Sequence, residues 1–429
     1  MRKAIAMIFA GGRVEDLSVL TERRPKSAVV FAGIYRTIDF ALTNLANAGI
    51  GQVGILTQYR PSSLMDHVGT GMAWDLTGTT RGVRFLPPYL GPQSAEWYRG
   101  PADALFQNID FIERTGADDV LAVSGDHVYQ MDYQPLLNFH HEHGADLTVS
   151  FTPVKEGANR FGIGEINAAG QLINFTEKPR LPRTNLASMS VYVFRREVLV
   201  EELLRAVRGD EGARTFQIHE VMRRMMPRRR AYGWIHHGSW EYARTIDEYY
   251  GFHRRLLGTT PGVSLDEWHV RSNIMARRTA PPPPAKVLPA ADVADSLISA
   301  GCVIEGIVRG SVLSPGVRIG KGAQVIDSVL WHDVVVEEGA VLSGVVCDKR
   351  TVFGRRSQVG TGPLAACEEM PGSLSCGATV VGMDVHIPPE ARIGRNCIVH
   401  PEAQESDLGA PVSSGKSVWP ASSRKEGVQ

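Results

Sequence analysis

The chain has 429 residues, 43% hydrophobic and 21% charged, with a formal net charge of zero at pH 7. That length allows two domains with a sizeable core, and the composition is that of an ordinary soluble globular protein. Balanced charge excludes a global field for nucleic acid or an anionic membrane, so any anion site must be local. No run approaches the roughly 20 apolar residues of a membrane span. Five cysteines, Cys302, Cys347, Cys367, Cys376 and Cys397, lie in the C-terminal third without a C-x-x-C pair. This usage predicts reduced thiols and a cytoplasmic protein.

Met1-Arg2-Lys3 precedes an apolar run that ends at Gly11-Gly12 without a cleavage motif, so the run is read as a first core strand and not as a leader. The basic segment Thr21 to Lys26 follows. A strand, a glycine turn and then positive charge is how α/β proteins bring backbone N–H groups against phosphate. An ordinary tight turn and a solvated basic face give the same pattern. Apolar spacing predicts a helix over 37–48, a strand over 53–56 and a helix over 61–68. A strand over 83–86, a Pro-Gly loop to Trp97-Tyr98-Arg99-Gly100, a helix over 102–114 and a buried strand over 120–123 follow. This alternation predicts a Rossmann-like domain with a mostly parallel sheet and ligands at the carboxyl ends of its strands.

Strands over 147–151, 162–166, 172–175 and 190–194 have few helices between them and predict an antiparallel or mixed extension. Helices are expected over 197–207, 217–225 and 241–257. The proline run of 280–289 marks a linker, since proline lacks the N–H and restrains its predecessor. Beyond it apolar residues recur every six positions: Ile307, Leu313, Ile319, Val325; then Val329, Val335, Val341, Cys347, Phe353, Val359; later Val381, Ile387, Ile393, Val399. Such a period predicts a left-handed parallel β-helix of hexapeptide repeats. The expected division is 1–258 for the first domain, 259–290 for the linker, 291–403 for the β-helix and 404–429 for a polar, disordered tail.

Asp126, in G-D-H-V at the end of a buried strand, stands where a phosphate-bound Mg²⁺ would be. Capping of the following turn is the alternative role. His140, His141 and His143 near a helix end suit the helix dipole, and His236 and His237 end a strand near Trp240.

Phe31 to Ile50, F-A-G-I-Y-R-T-I-D-F-A-L-T-N-L-A-N-A-G-I, together with the glycine turn, resembles the N-terminal block of ADP-glucose pyrophosphorylases, the glucose-1-phosphate adenylyltransferases of glycogen synthesis. The resemblance implies ATP and glucose 1-phosphate as substrates and Mg²⁺ as cofactor. It implies Asp126 as metal ligand and catalytic residue, with Lys26 and the Gly11-Gly12 backbone holding the triphosphate. Tyr98, Gly162, Glu177, Lys178 and Ser188 stand where that family binds glucose 1-phosphate. Lys178 suits the phosphate as a point charge, while Glu177 and Ser188 suit sugar hydroxyls. Arg23, Arg24 and Arg36 match positions that contact allosteric effectors, and Asp348-Lys349-Arg350 is a candidate to complete that site. A homotetramer, or a heterotetramer with a paralogous subunit, is the assembly implied.

The chain departs from the pattern at Val14 and Asp16, where the family has glycine and arginine. Tyr242 takes the place of a second metal aspartate, with Glu241 beside it as an alternative ligand. Pro101 replaces a threonine and Ser190 a glycine. At about 4 Å and an effective dielectric near 20, one unit charge is worth roughly 4 kcal/mol, so aspartate for arginine beside a phosphate matters. Three readings follow: a working adenylyltransferase, a regulatory subunit paired with an active paralogue, or an acyltransferase using His332 or His400.

Overall fold

The computed structural model describes residues 3–89, 97–209, 215–258, 265–276 and 280–421. Most of the Pro-Gly loop before Trp97, parts of the linker and the last eight residues of the tail lie outside the described residues.

Ala4–Phe9 is the strand on which the first domain is built. Its side chains alternate between two cores: Ile5 and Met7 pack with Phe151 and Leu199 on one face, Ala6 and Ile8 with Ile38, Leu42 and Trp74 on the other. Burial on both faces explains why the strand reads as an unbroken apolar run. It pairs in parallel with Gln52–Leu56 and Asp119–Ser124, and Gly82–Leu86 extends the parallel part. On the other side Leu186–Arg195 pairs antiparallel with Asp119–Ser124, followed outward by Gly162–Ile166 and Leu172–Glu177. Leu147–Pro153 and Ala231–Ile235 complete a nine-stranded mixed sheet.

Two expected helices are divided by local chemistry. The helix expected over 102–114 breaks at Asn108, whose side-chain amide donates to Ala104 O and to Tyr98 Oη. The helix expected from residue 241 starts only at Ile246, because Thr245 and Glu248 form a capping box there. Trp240–Glu241 instead forms a two-residue strand against Val128–Tyr129.

The second domain is a left-handed hexapeptide β-helix with three parallel faces. Along the middle coils stacked partners step by 17 residues, as Val335 over Arg318 and Val352 over Val335. Each such coil buries side chains at intervals of six, six and five, as in Leu313, Ile319, Val325 and Leu330. The five-residue side shifts the phase, so Leu330, Val336 and Leu342 point inward where a strict period of six predicts Val329, Val335 and Val341. For the same reason Val308, and not Ile307, is the core residue of its face. The tail differs from expectation as well: Ser417–Val418 pairs with Ile398–Val399, because its apolar Val418 continues the inward row. Pairing begins at Lys286–Val287, inside the proline-rich stretch.

The two domains share a core. Leu17, Leu20, Val30 and Tyr249 pack with Trp331, Val346 and Val380, and Trp331 Nε1 donates to Tyr249 Oη at 2.9 Å. Between Val346 and its stacked partner Val380 the step doubles, because residues 360–378 leave the coil and reach the first domain. There Ser373 Oγ donates to Asp16 Oδ1 at 3.0 Å, and the Ser375 and Cys376 amides donate to Asp247.

Candidate active site

The carboxyl ends of Ala4–Phe9, Gln52–Leu56 and Asp119–Ser124 open on a cavity of about 290 Å³ lined by Gly11, Gly12, Lys26, Gln58, Tyr98, Ser124 and Asp126, among others. Crevices at strand ends are where open α/β sheets bind ligands. The loop from Gly12 is closed by Lys26, whose backbone N–H donates to Gly12 O at 3.0 Å. Gly100 lies extended across the rim, where an added Cβ would meet Phe216 O at 2.3 Å, so only glycine fits.

Lys26 and Asp126 meet in this cavity, with Nζ 3.2 Å from Oδ2 and both side chains largely buried. Burial pushes the Asp126 carboxyl up, but the Lys26 ammonium, His127 and the Ser124 hydroxyl outweigh it and hold it at about 2. The Ser124 hydroxyl bonds the same carboxylate at Oδ1. Burial pushes Lys26 down, opposed by Asp126. His127, pushed down to about 4 by burial, is neutral at pH 7, and its Nδ1 accepts from Trp240 Nε1 at 3.2 Å. The ring of Tyr242 lies under the ammonium, 3.5 Å from Nζ to its centroid. Burial, then the Asp126 charge, pushes the Tyr242 phenol up, so it stays neutral.

Among the described residues no cluster of three or more His, Cys, Asp or Glu forms a metal cage. Glu241, the alternative second carboxylate, pairs with Arg255 at 3.0 Å. Among the described residues that line the cavity Asp126 is the one carboxylate. That set fits Mg²⁺, which takes one or two carboxylates and fills its shell with water and substrate phosphates.

Asp16 is not on the cavity wall. Its Oδ2 lies 3.3 Å from Arg244 Nε and its Oδ1 accepts from Ser373. The charge expected to repel phosphate is therefore matched by an arginine 228 residues away.

Tyr98 lines the same cavity, apart from the sugar-side residues it was grouped with. Its hydroxyl donates to Leu86 O at 2.9 Å and accepts from Asn108, so only the ring is offered to a ligand. Gly162, Glu177, Lys178 and Ser188 lie on the antiparallel extension. Gly162 faces Glu177 across the pair, where an added Cβ would meet Phe175 at 2.4 Å and Glu177 Oε2 at 2.9 Å. Lys178 follows with a left-handed backbone, φ 45°, held by its N–H to Phe161 O at 3.0 Å. Its side chain is 50% exposed and lies 3.8 Å from Glu177. Ser188 is buried, and its Oγ accepts from the N–H of Ser190, itself at φ 54° where a glycine is the usual choice.

The basic residues divide. Arg24 is buried and bidentate to Asp348 at 2.6 and 3.0 Å, which makes it an interdomain link. Arg23 pairs with Glu402 at 2.9 Å. Arg36 faces a second cavity of about 300 Å³ between the domains, with His67, Asn273, His332, Lys349 and Arg350. Burial, then Arg24, lowers Arg36 to about 10, and its Nε and Nη1 have no hydrogen-bond partner among the described residues. Lys349 is pushed down by burial and by Arg36 and Arg24.

His400 is clamped between Glu22 and Glu369 at 3.5 and 3.1 Å and stacks on Trp419, so it is not a free acyltransferase base. His141 bonds Asp119 at 2.6 Å and His140 bonds Thr148 at 2.8 Å, both within the fold. His236 is buried, with its pKa lowered by burial.

A nucleotidyl transferase family model matches residues 5–258, and a GlmU-like C-terminal hexapeptide model matches residues 283–370. The glucose-1-phosphate adenylyltransferase of Thermomicrobium roseum is 40% identical, with 98% of this chain and 98% of that protein covered. Those of Thermotoga neapolitana and Acetivibrio thermocellus are 38% and 36% identical over nearly full length. The chain belongs to the glucose-1-phosphate adenylyltransferase family. The hexapeptide match falls on the β-helix.

Three residues at or beside the cavity escape the sequence reading. Ser124 and Gln58 stand at or just past strand ends, a position that signals them. Gln58 holds Tyr98 through its backbone, accepting from Tyr98 N at 2.7 Å. Arg244 pairs with Asp16 across the fold, and no local pattern announces it.

Proposed function

We propose that this chain is a glucose-1-phosphate adenylyltransferase converting ATP and α-D-glucose 1-phosphate to ADP-glucose and diphosphate in glycogen synthesis. The observation that carries this reading is the single cavity around Gly11, Gly12, Lys26, Tyr98 and Asp126, in a chain related over its full length to proteins of that name. A phosphate oxygen of glucose 1-phosphate attacks the α-phosphorus of ATP in line; the α–β bridging bond breaks and diphosphate leaves. Such catalysis is positioning plus charge stabilisation. Lys26 and the Gly11-Gly12 backbone hold the triphosphate, and the Tyr98 ring walls the cavity. Gly162, Glu177, Lys178 and Ser188 hold glucose 1-phosphate, with Lys178 on its phosphate. Asp126 would hold Mg²⁺, which when bound supplies charge neutralisation at the α-phosphate.

The cavity of Arg36, Lys349 and Arg350 is the candidate effector site, for an anionic metabolite. Arg23 and Arg24 act on it indirectly, since both are tied to the β-helix. A cytoplasmic homotetramer, or a heterotetramer with a paralogue, is the proposed assembly. No described helix is long and apolar enough to cross a membrane.

The test is release of diphosphate by the purified protein with ATP, Mg²⁺ and glucose 1-phosphate, together with recovery of ADP-glucose. Turnover that needs both substrates is expected. No turnover alone, but stimulation of a co-expressed active relative, would replace this reading with that of a regulatory subunit.

A further inference from the structure

Lys26 is held in an unusual way. Its ammonium is buried and pairs with Asp126 at 3.2 Å, and among the described residues Nζ makes no other polar contact that satisfies it. Beside Asp126 the ammonium rests on the face of Tyr242, 3.5 Å from Nζ to the ring centroid. That ring is itself fixed: His127 meets it edge-on at 4.6 Å, Trp240 stacks at 6.3 Å and Phe161 packs at 6.0 Å. Pairing of Trp240–Glu241 with Val128–Tyr129 brings Tyr242 to Lys26, as the end of strand Asp119–Ser124 brings Asp126.

We propose that Tyr242 is a positioning residue for Lys26, its ring face holding the ammonium toward the cavity while leaving the N–H donors for a ligand's phosphates. A ring attracts a cation through its quadrupole and accepts no strong hydrogen bond. A carboxylate in the same place would draw those donors into an ion pair and compete with phosphate. The phenol therefore supports the ammonium without adding a second negative charge to that of Asp126. This inference rests on the reading that Lys26 meets the nucleotide's phosphates.

The experiment is titration calorimetry of ATP, in Mg²⁺ buffer, against the full-length wild type, Tyr242→Leu, Tyr242→Phe, Lys26→Ala and the double variant Lys26→Ala/Tyr242→Leu. Tyr242→Leu should weaken ATP about tenfold, the scale of a desolvated cation–π contact. Tyr242→Phe, which keeps the ring, should recover most of that loss. In the Lys26→Ala background Tyr242→Leu should cost less than about twofold, because a residue acting through Lys26 has nothing left to position. An equal cost in both backgrounds, a Tyr242→Phe loss matching that of Tyr242→Leu, or wild-type affinity in Tyr242→Leu would each overturn the proposal. Should Tyr242→Leu not fold, Tyr242→Met poses the same question with a flexible side chain. Wild-type protein that binds no ATP would overturn the proposed function and this inference with it; wild-type binding with an unaffected Tyr242 variant would overturn the inference alone.

Discussion

The proposed nucleotide side, around Lys26 and Asp126, and the proposed sugar side, around Glu177 and Lys178, are built in opposite ways. Around Lys26 and Asp126 every charge is already matched: ammonium to carboxylate and ring, carboxylate to Ser124, and Asp16 to Arg244 and Ser373. That half is also stapled to the β-helix, through Arg24 to Asp348, Glu22 to His400 and Asp16 to Ser373. On the sugar side Lys178 is half exposed with Glu177 at 3.8 Å, and among the described residues no hydrogen bond or ion pair ties Gly162, Glu177, Lys178 or Ser188 to the second domain. On the proposed function, one half is preorganised by the fold and the other is left for its ligand to complete. Preorganised charge in a water-poor site acts without reorganisation at the moment of reaction.

The contrast is broken most directly at Asp126. Asp126→Asn keeps the shape but leaves the Lys26 ammonium buried without a counter-charge, and turnover, read as diphosphate release, should fall by about 10²–10³-fold. Lys178→Ala should act on the other half alone. The KM for glucose 1-phosphate should rise about tenfold to thirtyfold, from loss of one charge-assisted bond at a half-exposed position, with the KM for ATP unchanged. A matching rise in both would mean that the halves are not separable.

The staple to the β-helix makes a pH prediction. Burial pushes His400 down, but Glu22 and Glu369 outweigh it and its folded pKa lies above 6.5. A raised pKa contributes stability that is fully present below the unfolded value and lost as pH rises through the folded one. The melting temperature should therefore fall by about 2 °C between about pH 6 and pH 8.5, and His400→Gln should flatten that part of the slope. The smallest effect is expected at Asp16. Because its carboxylate is held by Arg244 and Ser373, Asp16→Ala should change the KM for ATP by less than about threefold, well short of what an unpaired charge near phosphate would give.

Much of this was legible before the structure. Strand Ala4–Phe9, the turn at Gly11-Gly12 and Asp126 at a strand end follow from local pattern, because apolar runs and strand-end loops are short-range features. The β-helix follows from its period, and the error at Val329, Val335 and Val341 comes from the five-residue side of each coil, which slips the phase without changing composition. What a linear reading misses is compensation across the fold. Neither the pairing of Asp16 with Arg244 nor the approach of the Tyr242 ring to Lys26 can be read from local sequence. Arg24 looks like an anion contact in sequence because nothing there shows Asp348 behind it.

A crystal structure of the protein with ADP-glucose and Mg²⁺ tests the central claim most directly. The account predicts one continuous density, its diphosphate between the Gly12 loop and Lys26 and its glucose against Glu177 and Lys178. Nucleotide and hexose in separate cavities, or a diphosphate that avoids Lys26, would contradict it.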